Sequence, residues 1–223
     1  MSYQTHADLG GSPVSGAILP EPEGVAFHAD WEPRALALTL AMGATGSWNL
    51  DASRAARETL PDYARLGYYE IWLAALEKLM AERALALPDE IAAGRMLHPP
   101  QPVARVLRAE QVQQALARGS PTERPAAQPA RFAVGQRVRM RMPAADHHTR
   151  LPAYVQGKPG TIESVHGTHV FADSHAQGLG EAPQWLYIVV FDGPALWGDG
   201  AESAQRVSVD AWESYMDAVP EAA

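Results

Sequence analysis

The 223-residue sequence contains no cysteine. That excludes a disulfide, and it excludes a thiolate metal site built from this chain alone. It also fits a reducing compartment. Long apolar runs are missing too: nowhere do about 18 consecutive apolar residues occur, as a membrane-spanning helix requires. The opening MSYQTHADLGG has neither the basic stretch nor the apolar stretch of a secretion signal. The expectation is a cytoplasmic, soluble chain with no membrane partner. Basic charge is the scarcer sign, with 18 Lys and Arg against 26 Asp and Glu and a formal net charge of -8. Nucleic-acid binders usually carry a basic stripe, so this balance speaks against that class. No G-x-S-x-G, P-loop or dinucleotide fingerprint occurs. The remaining composition, 47% hydrophobic and 20% charged, is that of an ordinary globular protein.

The first 30 or so residues are rich in Gly and Pro and have no period, which predicts an extended arm able to lie on a partner. Residues 31–44 are good helix formers ending near Gly43 or Gly46. Asp51 can cap a short helix running through Arg54 to Glu58. Pro61 and Asp62 open a third helix to about Leu87, with Trp72, Ala75, Leu76, Leu79 and Met80 at helical spacing. Residues 101–118 hold a weaker helical pattern. Residues 119–130 are small, polar and Pro-rich and read as a linker. The period then switches to two: Phe132, Val134, Val138, Met140 and Met142 alternate with Gln136, Arg137, Arg139 and Arg141. Further strands are predicted at 159–165, 185–192 and 205–210. The fold class is therefore α+β. An arm and helical domain occupy 1–118, and a small antiparallel barrel occupies 131–223.

Each motif has a plain reading beside a functional one. His166 and His169, with Asp173 following, could ligate zinc, but no further ligand has convincing spacing, and an exposed polar loop is the simpler reading. His147 and His148 are adjacent, so in a strand they would point to opposite faces. Strand, Gly-Lys-Pro-Gly, strand is common in SH3-like barrels, some of which bind RNA. Arg137, Arg139 and Arg141 would share one face, and with net negative charge a solvated face is preferred. Tyr68 and Trp72 are i and i+4 on a predicted helix and suit either core packing or a pocket wall.

Several segments together resemble the β subunit of nitrile hydratases: FHADWEPRALALT, WNLDASRAARETLP, YYEIWLAALEKL, then HTRLPAYVQGKPGTIESV, LWG and WESY. The resemblance spans almost the whole chain and is least specific over about 88–130. It implies a helical half with an extended arm, followed by an SH3-like barrel. It implies hydration of a nitrile to an amide at a cobalt or iron site, with cobalt preferred. That metal is held by a Cys-x-x-Cys-Ser-Cys loop of a separate α subunit, in which two cysteines are oxidised. The partners implied are that α subunit, in an α2β2 heterotetramer, and a small nitrile. Obligate interfaces of this kind bury on the order of 2,000 Å² or more.

By motif, the resemblance carries two catalytic arginines onto Arg54 and Arg150, where they hydrogen-bond the oxidised cysteine oxygens. It places Leu50, Tyr68, Ile71 and Trp72 at the substrate pocket. Ser53 occupies a position that can be bulky in relatives, so its small side chain leaves room for a larger nitrile. Two other readings remain: a thiocyanate hydrolase-type subunit, whose counterpart is split into two shorter chains, and a non-catalytic SH3-like binding module.

Overall fold

The computed structural model describes residues 6–10, 17, 20–142, 145–200, 202 and 204–220. Of the expected N-terminal arm, residues 1–5, 11–16 and 18–19 lie outside the described residues; 20–31 carry turns and no regular element. The described residues form two compact units. One falls within Pro13–Ser120, and the other within Pro121–Ala223 together with the described part of Met1–Ser12.

The first unit is helical. Helix α1 (Glu32–Gly43) has Pro33 in its first turn, where a missing N–H costs nothing. Helix α2 (Leu50–Glu58) is capped by Asn49, whose side chain accepts from the Ala52 amide at 2.8 Å. This corrects the expectation for Asp51, which lies inside the helix and is buried. Helix α3 (Tyr68–Glu82) starts later than Pro61–Asp62 suggests. Those residues lead into a 3-10 turn at Tyr63–Arg65, and the Glu70 carboxylate accepts from the Gly67 amide at 2.7 Å to set the true start. It ends where Ala84 turns left-handed (φ 53) and the Leu85 amide reaches back to the Met80 carbonyl. Pro88 opens a short further helix, α4 (Pro88–Ala93), stopped by left-handed Gly94. Of 101–118, only α5 (Val112–Arg118) and a preceding 3-10 turn are helical. Trp48, Ala52, Ala56, Ala75, Leu76 and Leu79 form the core between α2 and α3.

The second unit is a six-stranded antiparallel sheet. Its strands are β1 (Glu123–Arg124), β2 (Arg137–Met140), β3 (Pro159–His169), β4 (Gln184–Asp192), β5 (Arg206–Trp212) and β6 (Met216–Ala218). The pairing path runs β5-β4-β3-β2-β6, with β1 on β3. The α+β class holds; the described pairings form a path and do not by themselves close the expected barrel. β1 lies within the Pro-rich segment 119–130. Arg124 pairs with Glu181 through both arms of its fork, at 2.7 and 2.6 Å, and the Gln128 carbonyl accepts from the Trp185 ring N–H. The two-residue alternation is confined to 137–140: Val138 and Met140 are fully buried, whereas Val134 and Met142 are exposed. Tyr187, Val189 and Phe191 of β4 point inward against them and Ile162. Two short helices are inserted, α6 (Ala172–Ala176) after β3 and α7 (Gly193–Trp197) after β4.

Candidate functional site

In the helical unit, α2 and α3 carry Leu50, Ser53, Arg54, Tyr68, Ile71 and Trp72. Because Asn49 fixes where α2 begins, Ser53 and residue 57 fall one turn apart on the same face. Residue 57 is an arginine that sequence reasoning passed over. Its Nη2 donates to Ser53 Oγ at 3.1 Å, and its guanidinium lies 4.0 Å above the Trp72 ring. Burial is the main cause lowering its pKa from the ordinary value, with the nearby Tyr68 opposing; a guanidinium still keeps its charge. Its Nε is buried without a hydrogen-bond partner among the described residues. The contact with the indole face offsets part of that cost, by about 0.5–2 kcal/mol.

Tyr68 and Trp72 share a face as their spacing predicts, with ring centroids 5.6 Å apart. Tyr69 meets both, at 5.1 and 6.0 Å, and is itself packed by Phe27 at 5.4 Å. Tyr68 is 66% exposed and Leu50 49%, while Ile71 packs partly onto the helical core. This aromatic face is open on one side and anchored on the other. Arg54 keeps 39% of its side chain exposed, and its Nη1 stands 3.6 Å from Asp51 Oδ1, beyond hydrogen-bonding reach.

Arg150 belongs to the other unit. Its backbone amide donates to Asp173 Oδ1 at 3.0 Å and to the Tyr215 hydroxyl at 3.1 Å. Leu151 next to it is buried in the sheet core. Asp173 was expected beside His166 and His169, but the three do not converge. His166 pairs with Ser164 at 3.0 Å, His169 with Thr122 at 3.1 Å, and Asp173 with Arg150 and Tyr215. Among the described residues no group of three or more His, Asp or Glu could hold a metal ion. Burial, above all, raises the Asp173 pKa, against the hydrogen bonds from Tyr215 and the Arg150 amide. Burial and the Asp173 carboxylate push the Tyr215 phenol far above its ordinary range, so it remains a donor. Arg139 donates to the Gly157 carbonyl at 2.9 Å and Arg141 forks onto Asp217, which satisfies two of the three strand arginines locally.

An exposed face of tyrosine, tryptophan and arginine has the composition of a subunit interface, where these residues are enriched. Comparison with known proteins identifies the subunit. The family model for the nitrile hydratase β subunit, N-terminal, matches residues 3–113, and that for its C-terminal part matches 121–218. A low-molecular weight cobalt-containing nitrile hydratase subunit β from Rhodococcus rhodochrous is 36% identical, over 94% of this chain and 96% of that one. A cobalt-containing nitrile hydratase subunit β from Pseudonocardia thermophila is 30% identical, over 95% of each. Among solved structures, a thiocyanate hydrolase from Thiobacillus thioparus aligns with a TM-score of 0.41 and 24% identity, covering 53% of this chain and 100% of that one. The chain belongs to the nitrile hydratase β-subunit family.

Proposed function

We propose that this chain is the half of a nitrile hydratase, a lyase, that closes the active site carried by a cysteine-bearing α subunit. The two chains assemble as an α2β2 enzyme in the cytoplasm, and this chain is inactive alone. No described helix is long and apolar enough to cross a membrane. The single observation that carries the reading is the Arg54 face. On a family-matched chain, a guanidinium whose nearest carboxylate is 3.6 Å away stands half-exposed on a well-capped helix. Its donors suit an external anion, and an oxidised cysteine oxygen of the partner is such an anion. Each charge-assisted bond of this kind contributes about 1.5–3 kcal/mol. Arg150 acts in the same way from the other unit. The partner's metal, cobalt in preference to iron given the two cobalt-containing relatives, supplies Lewis-acid activation of the nitrile or of a water when bound. This chain's own residues orient and enclose. Arg54 and Arg150 each donate to an oxidised cysteine oxygen of the partner, and Leu50, Ile71 and Trp72 give the nitrile's organic group an apolar wall. Tyr68 brings a hydroxyl to the rim of that wall.

Co-expression with an α chain bearing Cys-x-x-Cys-Ser-Cys tests the reading. Amide should form from a nitrile only when both chains are present. Turnover by this chain alone would overturn the two-chain reading. Hydrolysis of thiocyanate in place of nitrile hydration would move it to the sister activity. Salt-dependent RNA binding without turnover would make it a binding module.

Ser53 sets substrate range through Arg57 as well as through its own size. Ser53 is buried and holds one arm of Arg57, whose other contact is the Trp72 ring. In Ser53→Phe the new ring must take space from Arg57, Trp72 or the pocket. The expected result is a fall in kcat/KM for aromatic nitriles relative to aliphatic ones in the assembled enzyme. An unchanged ratio would remove Ser53 from the specificity determinants.

A further inference from the structure

The Arg150 amide is held unusually well for a loop. Its N–H is shared between two acceptors from distant parts of the chain: Asp173 in the first turn of α6 and Tyr215 in the 3-10 turn between β5 and β6. The two acceptors are themselves joined, since the Tyr215 hydroxyl donates to the Asp173 carboxylate. Amide, phenol and carboxylate thus close a small ring. Asp173 and Tyr215 are each only 5% exposed. The Tyr215 ring stands between Phe171 and Trp212, with centroids 5.7 and 6.1 Å away. Trp212 is fixed in turn by its ring N–H on the Val170 carbonyl at 3.1 Å. Beyond Arg150, Leu151 is buried in the sheet core and the Ala153 amide donates to Asp8 Oδ2 at 2.7 Å. The backbone from 150 to 153 is therefore pinned at residues 150, 151 and 153.

A buried carboxylate shared between a phenol and a backbone amide is a costly device for packing alone, because apolar groups of the same shape often stabilise at least as well. Its specific effect is directional: it fixes the origin and heading of the side chain at residue 150. From this we infer that Asp173 and Tyr215 are positioning residues for Arg150, aiming its guanidinium at the partner's anionic oxygens. The inference rests on the role given to Arg150 above. Neither residue touches substrate. Both act through the arginine, and a displacement of about 1 Å at a group of this kind can cost up to about 100-fold in rate.

The test uses the assembled two-chain enzyme. Tyr215→Phe keeps the ring and its packing and removes only the hydroxyl. The expected result is a fall in kcat of about tenfold with KM within about twofold. Tyr187→Phe is the matched control, since it also deletes a buried hydroxyl, one that donates to Glu213 at 2.6 Å and is not a member of the ring formed by the Arg150 amide, Asp173 and Tyr215. It should shift thermal stability by a similar amount and leave kcat unchanged. Asp173→Ala should resemble Tyr215→Phe, and Asp173→Asn, which retains an acceptor oxygen for the Arg150 amide, should recover most of the rate. In an Arg150→Ala background, Tyr215→Phe should have no further effect on kcat. Unchanged kcat in Tyr215→Phe, equal losses in both tyrosine variants, or full additivity with Arg150→Ala would each overturn the inference. If Arg150→Ala alone kept full turnover, the role of Arg150 itself would fall, and the positioning role with it. An impaired Arg150→Ala beside a normal Tyr215→Phe would remove only the positioning role.

Discussion

Arg54→Ala and Arg150→Ala are each expected to lower nitrile turnover by the assembled enzyme about 10- to 100-fold, the rate equivalent of one or two lost charge-assisted hydrogen bonds at a buried anion. The loss should appear in kcat more than in KM, because the arginines address the partner's oxygens and not the nitrile. Lysine should rescue poorly at either position. An ammonium carries the charge but lacks the planar fork that meets two oxygens at once. Arg54→Ala also removes the neighbour of Asp51, a buried acid one turn earlier in α2. Assembly should therefore be checked by gel filtration before rates are compared. Full turnover in both alanine variants of a correctly assembled, metal-loaded enzyme would show that neither arginine belongs to the site.

The second large effect concerns stability. Gly160→Ala is expected to destabilise the chain by about 1–3 kcal/mol, the usual cost of overpacking a tight core. Gly160 sits in β3 opposite Val138 and is buried. A Cβ there would stand 2.6 Å from Val189 Cγ1 and 2.9 Å from Phe191 Cε1. Neither neighbour can yield easily. Valine is stiff about its first side-chain bond, and both residues are fully buried in β4. For a chain of this size the melting temperature should drop by roughly 2–4 °C per kcal/mol. Gly160→Val should prevent accumulation of folded protein. A wild-type melting curve for Gly160→Ala would mean that β3 and β4 are less closely packed than these distances state.

The local elements were legible where one period dominated. α1 and the middle of α3 follow their apolar spacing, and β4 follows its alternation of buried Tyr187, Val189 and Phe191. Boundaries were harder because competing residues could play the same part. Asn49 and Asp51 are both good caps, and only the folded helix shows which one lies outside it. β1 and β6, of two and three residues, are too short to carry a period. The site divides along the same line. Tyr68 and Trp72 meet because they are neighbours on one helix, which spacing alone can state. Arg57 drew no notice in the sequence because its cover, Trp72, comes from a different helix. The partners of the Arg150 amide lie 23 and 65 residues further along, and no local pattern points to them. Asp173 was visible only as a possible ligand beside two histidines, a grouping of sequence neighbours that the fold takes apart.

The bond between Asp8 and the Ala153 amide joins residues 145 positions apart. At a synthesis rate of about 5–20 residues per second, the Ala153 amide is made roughly 7–30 seconds after the Asp8 carboxylate that accepts from it. This bond can therefore form only late, after residue 153 has been made. The link between Asp8 and Ala153 thus belongs to the completion of the sheet unit and cannot help to start it.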